Sequence, residues 1–179
     1  MSKRSNIHVA LLRGINVGGR NKLPMKNLVS MFEGAGCAAV RSYIQSGNVI
    51  FEATPALART LPELIGGEIS RQFGFDCPII LRTANELGRV VRSNPFPRED
   101  TDDKSLCVAF LAAKPGKQRI AALDPQRSPG DEYVVSGREI YLRLPNGARS
   151  KLTNAYFDSK LDTTSTFRNW KTTHAMPSP

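Results

Sequence analysis

The chain is poor in the residues on which most side-chain chemistry depends. Only two of its 179 residues are histidine, His8 and His174, and only three are cysteine, Cys37, Cys77 and Cys107. Zinc sites draw on clustered His and Cys, and a Ser-His-Asp or Cys-His arrangement needs a histidine beside its nucleophile. Neither pattern occurs, so no metal site is expected. The thiols are odd in number, widely spaced and set among apolar neighbours, without a C-x-x-C pair. They read as inert, reduced residues of a cytoplasmic protein rather than as a disulfide framework. No apolar run approaches the roughly 20 residues of a membrane-spanning helix, which argues against a membrane partner. The basic start, Met1-Ser2-Lys3-Arg4-Ser5-Asn6, lacks the apolar segment and small-residue cleavage site of a secretory signal.

Acidic charge is scarce where it would matter most. Residues 1–50 carry seven Lys/Arg against Glu33 alone, a local +6 within a net +9, while residues 51–100 sum to −1. Clustered Lys and Arg focus a field that attracts polyanions. The excess surrounds Leu11-Leu12-Arg13-Gly14-Ile15-Asn16-Val17-Gly18-Gly19-Arg20-Asn21-Lys22, an apolar strand running into a basic, glycine-rich loop. Glycine lets backbone amides turn toward an anion, and a helix after such a loop presents its positive N-terminal end. Arg13, Asn16, Gly18, Gly19 and Lys22 are therefore expected to form an anion site. Gly14 and Gly19 approach P-loop spacing, but Arg20-Asn21 stands where Lys-Ser/Thr is required, and no G-x-G-x-x-G is present. The competing structural reading is a turn whose glycines serve backbone geometry and which Asn16 caps.

Periodicity and turn signals predict strand, helix, strand, strand, helix, strand in the first half. The strands fall at 7–13, 40–45, 48–52 and 77–82, with Ser46-Gly47 turning the middle hairpin. The first helix follows Pro24 with Met25, Leu28, Val29 and Phe32 on one face; the second opens at Thr54-Pro55 or at a Thr60/Glu63 capping box and is weakened by Gly66-Gly67. This βαββαβ order is the ferredoxin-like, or split-βαβ, arrangement. It places the loop after the first strand at the same end of the sheet as the 45–48 turn, which adds Ser46 and Asn48 to the expected site.

Residues 84–104 read as a connector: a helix at 84–92, then Asn94-Pro95-Phe96-Pro97 and a solvated acidic run, Glu99-Asp100-Thr101-Asp102-Asp103. The second half repeats the pattern with strands at 106–112, 132–136, 139–144 and 163–167. Helices are expected at 116–123, at 150–161 behind a serine cap, and from Arg168-Asn169-Trp170-Lys171 onward, with residues 176–179 as a tail. The fold class is α/β (α+β): two consecutive ferredoxin-like units with mainly antiparallel sheets, at 1–83 and 105–179.

Six segments in order, the Leu11-to-Gly19 run, Ile44-Gln45-Ser46-Gly47-Asn48-Val49-Ile50-Phe51, Asn94-Pro95-Phe96, Arg138-Glu139-Ile140-Tyr141-Leu142, Ser150-Lys151-Leu152-Thr153 and Arg168-Asn169-Trp170, carry a resemblance over nearly the whole chain. It resembles the domain of unknown function 1697 family. The resemblance implies a two-part α/β fold with ferredoxin-like character in a bacterial cytoplasmic protein, and implies no reaction, cofactor or catalytic residue. The family favours Gly-Arg before Ser-Lys-Leu-Thr, where this chain has Ala148-Arg149.

The second half contributes candidates of the same basic kind. Ser150 and Lys151, preceded by Arg149, suit a helix N-terminus facing an anion, and Arg168 and Asn169 adjoin the single tryptophan, Trp170, which could stack a base or serve the core. RNA recognition on the sheet needs aromatics on both central strands; the first has none and the third only Phe51. The expected partner is a phosphate-bearing small molecule, nucleotide-like, or another anion, with weak non-specific nucleic-acid binding. The alternatives are a small enzyme acting on a phosphate or carboxylate through Arg13, Asn16, Lys22, Ser46, Asn48 and Lys151, and a nucleic-acid or protein-interaction module. The sequence identifies no cofactor, general base or oligomeric state.

Overall fold

The computed structural model describes residues 6–96 and 104–176. The expected acidic run and the last three residues lie outside them. The chain divides into two compact units, Met1–Leu87 and Gly88–Pro179.

The first unit contains β1 (Ile7–Leu12), α1 (Met25–Gly34), β2 (Ala38–Tyr43), β3 (Asn48–Glu52), α2 (Pro55–Phe73) and β4 (Ile79–Thr83), after which α3 (Ala84–Arg92) begins. The sheet order is β2-β3-β1-β4 and every pair is antiparallel, as the ferredoxin-like order requires. Alternate residues of the two central strands, Ala10, Leu12, Val49 and Phe51, pack beneath the helices with Phe32, Leu61 and Ile65. Val9 and Leu11 on the opposite face are fully buried as well. That explains why β1 reads as a continuous apolar run. Phe51, the one aromatic expected on a central strand, packs with its ring centre 5.0 Å from that of Phe32, tilted by 41°, and offers no open platform for a base.

Of the two expected openings of α2, the first holds: Thr54 Oγ1 accepts from Leu57 N at 3.2 Å. Thr60 instead donates its hydroxyl to Leu57 O at 2.8 Å. The helix runs through Gly66-Gly67 because Ala58, Leu61, Ile65 and Ile69 bury one stripe, and it stops at left-handed Gly74. At the other end of the hairpin, Gly47 sits at φ +87° with Ile15 and Leu12 side-chain atoms 3.0 Å from where a Cβ would stand.

The second unit repeats the topology: β5 (Leu106–Leu111), α4 (Lys117–Ala121), β6 (Glu132–Ser136), β7 (Glu139–Arg143), α5 (Asn154–Leu161), β8 (Ser165–Asn169) and α6 (Trp170–Ala175), in sheet order β6-β7-β5-β8, all antiparallel. Both units place a buried arginine at the same point of the last strand: Arg82 lies opposite Val9, and Arg168 opposite Val108. Each is followed by a helix cap. Thr83 and Glu86 cap α3 reciprocally at 3.1 and 2.8 Å, and Asn169 Oδ1 accepts from Thr172 N at 2.8 Å.

Several expected boundaries shift, and β2 at Ala38–Tyr43 rather than 40–45 leaves Ile44 and Gln45 in the turn. α5 opens at Asn154 under Thr153, whose Oγ1 accepts from Tyr156 N at 3.2 Å, rather than at Ser150. The segment before it is held elsewhere. Ser128 Oγ donates to Asp131 Oδ2 at 2.7 Å and accepts from Lys151 N at 3.1 Å, while Asp131 Oδ1 accepts from Asn146 N at 3.1 Å. Residues 168–169, expected to start the terminal helix, pair with β5 as the end of β8, and the helix begins one residue later at Trp170.

Two predictions follow from this packing. Gly47→Ala meets both an unfavourable backbone region and side-chain atoms at 3.0 Å, whereas Gly18→Ala, at φ +58° with nothing within 4 Å, meets only the first. Chemical denaturation is expected to show a loss of about 2–4 kcal/mol for the former and about 1 kcal/mol for the latter; equal losses would contradict this packing. Burial pushes the Asp131 carboxyl upward, but hydrogen bonds from Ser128, Ser150 and the Asn146 backbone and side chain outweigh it and hold the group below its ordinary value. Its stabilising contribution is therefore present above about pH 4 and lost as pH falls through the lowered folded value. Asp131→Ala should cost about 2 kcal/mol near neutrality, and the gap to the natural protein should narrow below about pH 4; a gap constant down to the acid transition would contradict it.

Candidate functional site

The end of β1 is stitched on both sides. Leu12 N donates to Gly47 O at 2.8 Å, and Arg13 N donates to Pro78 O at 3.0 Å. The loop that follows is folded on itself: Asn16 N donates to Asn21 O at 3.1 Å, Arg20 N to Val17 O at 3.0 Å, and Asn21 Nδ2 to Gly14 O at 2.9 Å. Between Val17 and Arg20, Gly18 and Gly19 both have positive φ, +58° and +74°, the signature of a type I′ two-residue turn. Among the described residues, nothing accepts from the Gly18 or Gly19 amides. Buried Ile15 and Leu23 anchor the loop from below.

Asn16 joins this loop to the β2–β3 turn. Its Oδ1 accepts from Leu23 N at 2.8 Å, and its Nδ2 donates to Leu23 O at 2.9 Å and to Gln45 O at 3.2 Å. Asn48, fully buried, donates from Nδ2 to Tyr43 O and to Ser46 Oγ, both at 3.1 Å. The expected convergence of the glycine loop with residues 45–48 is thus present, and the two asparagines build it. Gly18, Gly19, Lys22 and Ser46 stand exposed on the result, with Arg13 half-buried. Arg20, also exposed, and Lys22 form no ion pair among the described residues. α1 starts beyond the loop behind Pro24, with no side-chain cap and no acid in its first turn, so its positive end adds to the same field.

The second-unit candidates are held by bonds of their own unit. Lys151 gives its amide to Ser128, and Ser150 Oγ accepts from Leu152 N at 3.1 Å. Arg168 is 7% exposed, and its Nη1 donates to Thr166 Oγ1 and to Phe167 O, each at 2.8 Å. The Asn169 side chain caps α6, and Trp170 belongs to the core at 4% exposure.

Two residues at the first-unit loops carry no expected role from the sequence. Val17 is 63% exposed and Ile44 50%, and Ile44 has φ +50°. Val17 follows Asn16, and Ile44 precedes Gln45, the two residues that meet across the loops. The available signal was position: each adjoins a motif residue at a turn.

A cleft of about 830 Å³ lies elsewhere, between α1 and α2, floored by Met31 and Ile65 and edged by Lys26, Leu64 and Glu68. Its acid is engaged, since Glu68 pairs with Arg71 at 2.7 Å. The basic loop has the more specific chemistry: oriented amides, unpaired cations and a fixed backbone. Two of the thiols are held in their neutral form. Burial raises the Cys37 thiol, and burial, with the Asp131 charge, pushes Cys107 up to about 12.

No helix among the described residues is long and apolar enough to cross a membrane. No curated protein matches the sequence. A solved structure, described as that of conserved bacterial protein SP0830 from Streptococcus pneumoniae, is similar at 21% identity and a TM-score of 0.65, with 96% of each chain covered. That likeness concerns the fold. The sequence pattern of the family described as protein of unknown function (DUF1697) matches residues 6–141, which takes in the first unit from residue 6 onward and the second as far as β7. The chain belongs to the DUF1697 family.

Proposed function

We propose that the first unit binds a phosphate-bearing small ligand, or another anion, on the surface formed by the 13–22 loop and the 44–48 turn. One observation carries this reading: the unengaged Gly18 and Gly19 amides lie between Asn16 and the unpaired cations Arg20 and Lys22. A nest of amides with adjacent cations recognises phosphate oxygens by charge-assisted hydrogen bonds. Arg13, Lys22 and Ser46 supply further donors. Asn16 and Asn48 act by fixing the backbone rather than by spending their side chains on the ligand. Ser150, Lys151, Arg168 and Asn169 enter as the frame of the second unit. Three cysteines outside any disulfide support a reducing, cytoplasmic setting.

Titration calorimetry with pyrophosphate is expected to show saturable binding that weakens about 10- to 100-fold in the Arg20→Ala/Lys22→Ala variant, the loss of one or two charge-assisted bonds. Salt separates this from a nucleic-acid role. A compact anion loses affinity gently with ionic strength, whereas a duplex contacting several cations loses it steeply. Absence of anion binding, or affinity indifferent to both substitutions, would overturn the proposal.

A further inference from the structure

Ile44 breaks two folding rules at once. A β-branched residue rarely adopts φ near +50°, because its side chain crowds the backbone there. Yet Ile44 gains little burial in return, since half of it faces solvent. Asparagine or glycine would fit the same turn with less strain. Val17 is a second exposed β-branched residue, at 63%, beside the type I′ turn. The hydrogen bond from Asn16 to Gln45 joins the two loops, and Val17 and Ile44 each lie one residue from it in sequence. Val17 directly precedes the Gly18-Gly19 turn.

Strain and exposure combined at one residue point to a ligand contact. β-branched side chains are stiff at χ1 and present a fixed apolar surface. On an exposed loop surface, side chains that project beside a ligand supply its apolar cover. We infer that Ile44 and Val17 seat the apolar substituent of an organic phosphate ester, so that the site selects phosphates carrying a nucleobase or an alkyl group over sugar phosphates and inorganic phosphate. This rests on anion binding at the loop and specifies which anion.

The test compares AMP, octyl phosphate, ribose 5-phosphate and inorganic pyrophosphate by calorimetry on the full chain. AMP or octyl phosphate should bind at least about tenfold tighter than ribose 5-phosphate, and whichever is preferred identifies the substituent as base or alkyl. Ile44→Asn and Val17→Ser should each reduce that preference and together bring it to about unity. Ile44→Asn should also keep or raise the melting temperature, because asparagine tolerates the left-handed backbone; a purely structural isoleucine would lower it. Equal affinity for AMP, octyl phosphate and ribose 5-phosphate, or a preference that survives the double substitution, overturns this inference and leaves anion binding standing. Failure of all four compounds, pyrophosphate included, overturns both.

Discussion

The side-chain amide of Asn16 is the constraint on which the candidate site depends. It closes the ends of the glycine loop by bonding both the N–H and the C=O of Leu23, and with its second donor it reaches Gln45 on the β2–β3 turn. A loop of this length carries many backbone groups that would otherwise be ordered at an entropic cost with little return. One planar amide fixes the register of two loops at once. The Leu12-to-Gly47 bond and the packing of Ile15 against Gly47 complete the seam. The Gly18 and Gly19 amides are therefore held in place before any ligand arrives, so binding would carry a smaller ordering penalty.

The two units solve the same topological problem and differ in what they do with the loop end. In the first, the loop after β1 spans residues 13–24 and bears Arg20 and Lys22, which form no ion pair among the described residues. In the second, β5 is followed within a few residues by the short helix α4, and the polar cluster of Ser128, Asp131, Asn146 and Lys151 is consumed by its own hydrogen bonds. Buried Arg82 and Arg168 recur at matching register in both. Desolvating a guanidinium is expensive, so its satisfaction by nearby acceptors, as with Thr166 Oγ1 and Phe167 O around Arg168, belongs to the scaffold of the last strand rather than to a surface site.

Much of this was legible in the sequence because local and tertiary preferences agree. The apolar run of β1, the strand-like runs around the Ser46-Gly47 turn and the Thr54-Pro55 opening of α2 give the element order and hence the ferredoxin-like topology. Convergence of the glycine loop and the 45–48 turn follows from topology alone. Less legible were positions where side chains compete for the same backbone. Ser150 looks like a helix cap, but Lys151 gives its amide to Ser128, twenty-three residues back in sequence, and Thr153 takes the cap. Arg168 beside Trp170 leaves a stacking surface and a core role both open; Arg168 lies within the β5–β8 pairing, Trp170 opens α6, and both are buried. Asn16 could be read as ligand or cap, and only the geometry shows each end of its amide engaged. Ile44 was invisible as a strained residue, since nothing in a sequence reports φ.

A backbone-resolved NMR titration of the full chain with inorganic pyrophosphate tests the preorganised amide nest most directly. The Gly18 and Gly19 amide signals should shift saturably with a single dissociation constant, while those of Gly34 and Gly74, at helix ends in the same unit, stay in place. Shifts spread evenly over exposed Lys and Arg neighbourhoods, with Gly18 and Gly19 unmoved, would show a diffuse charge effect and contradict a site at this loop.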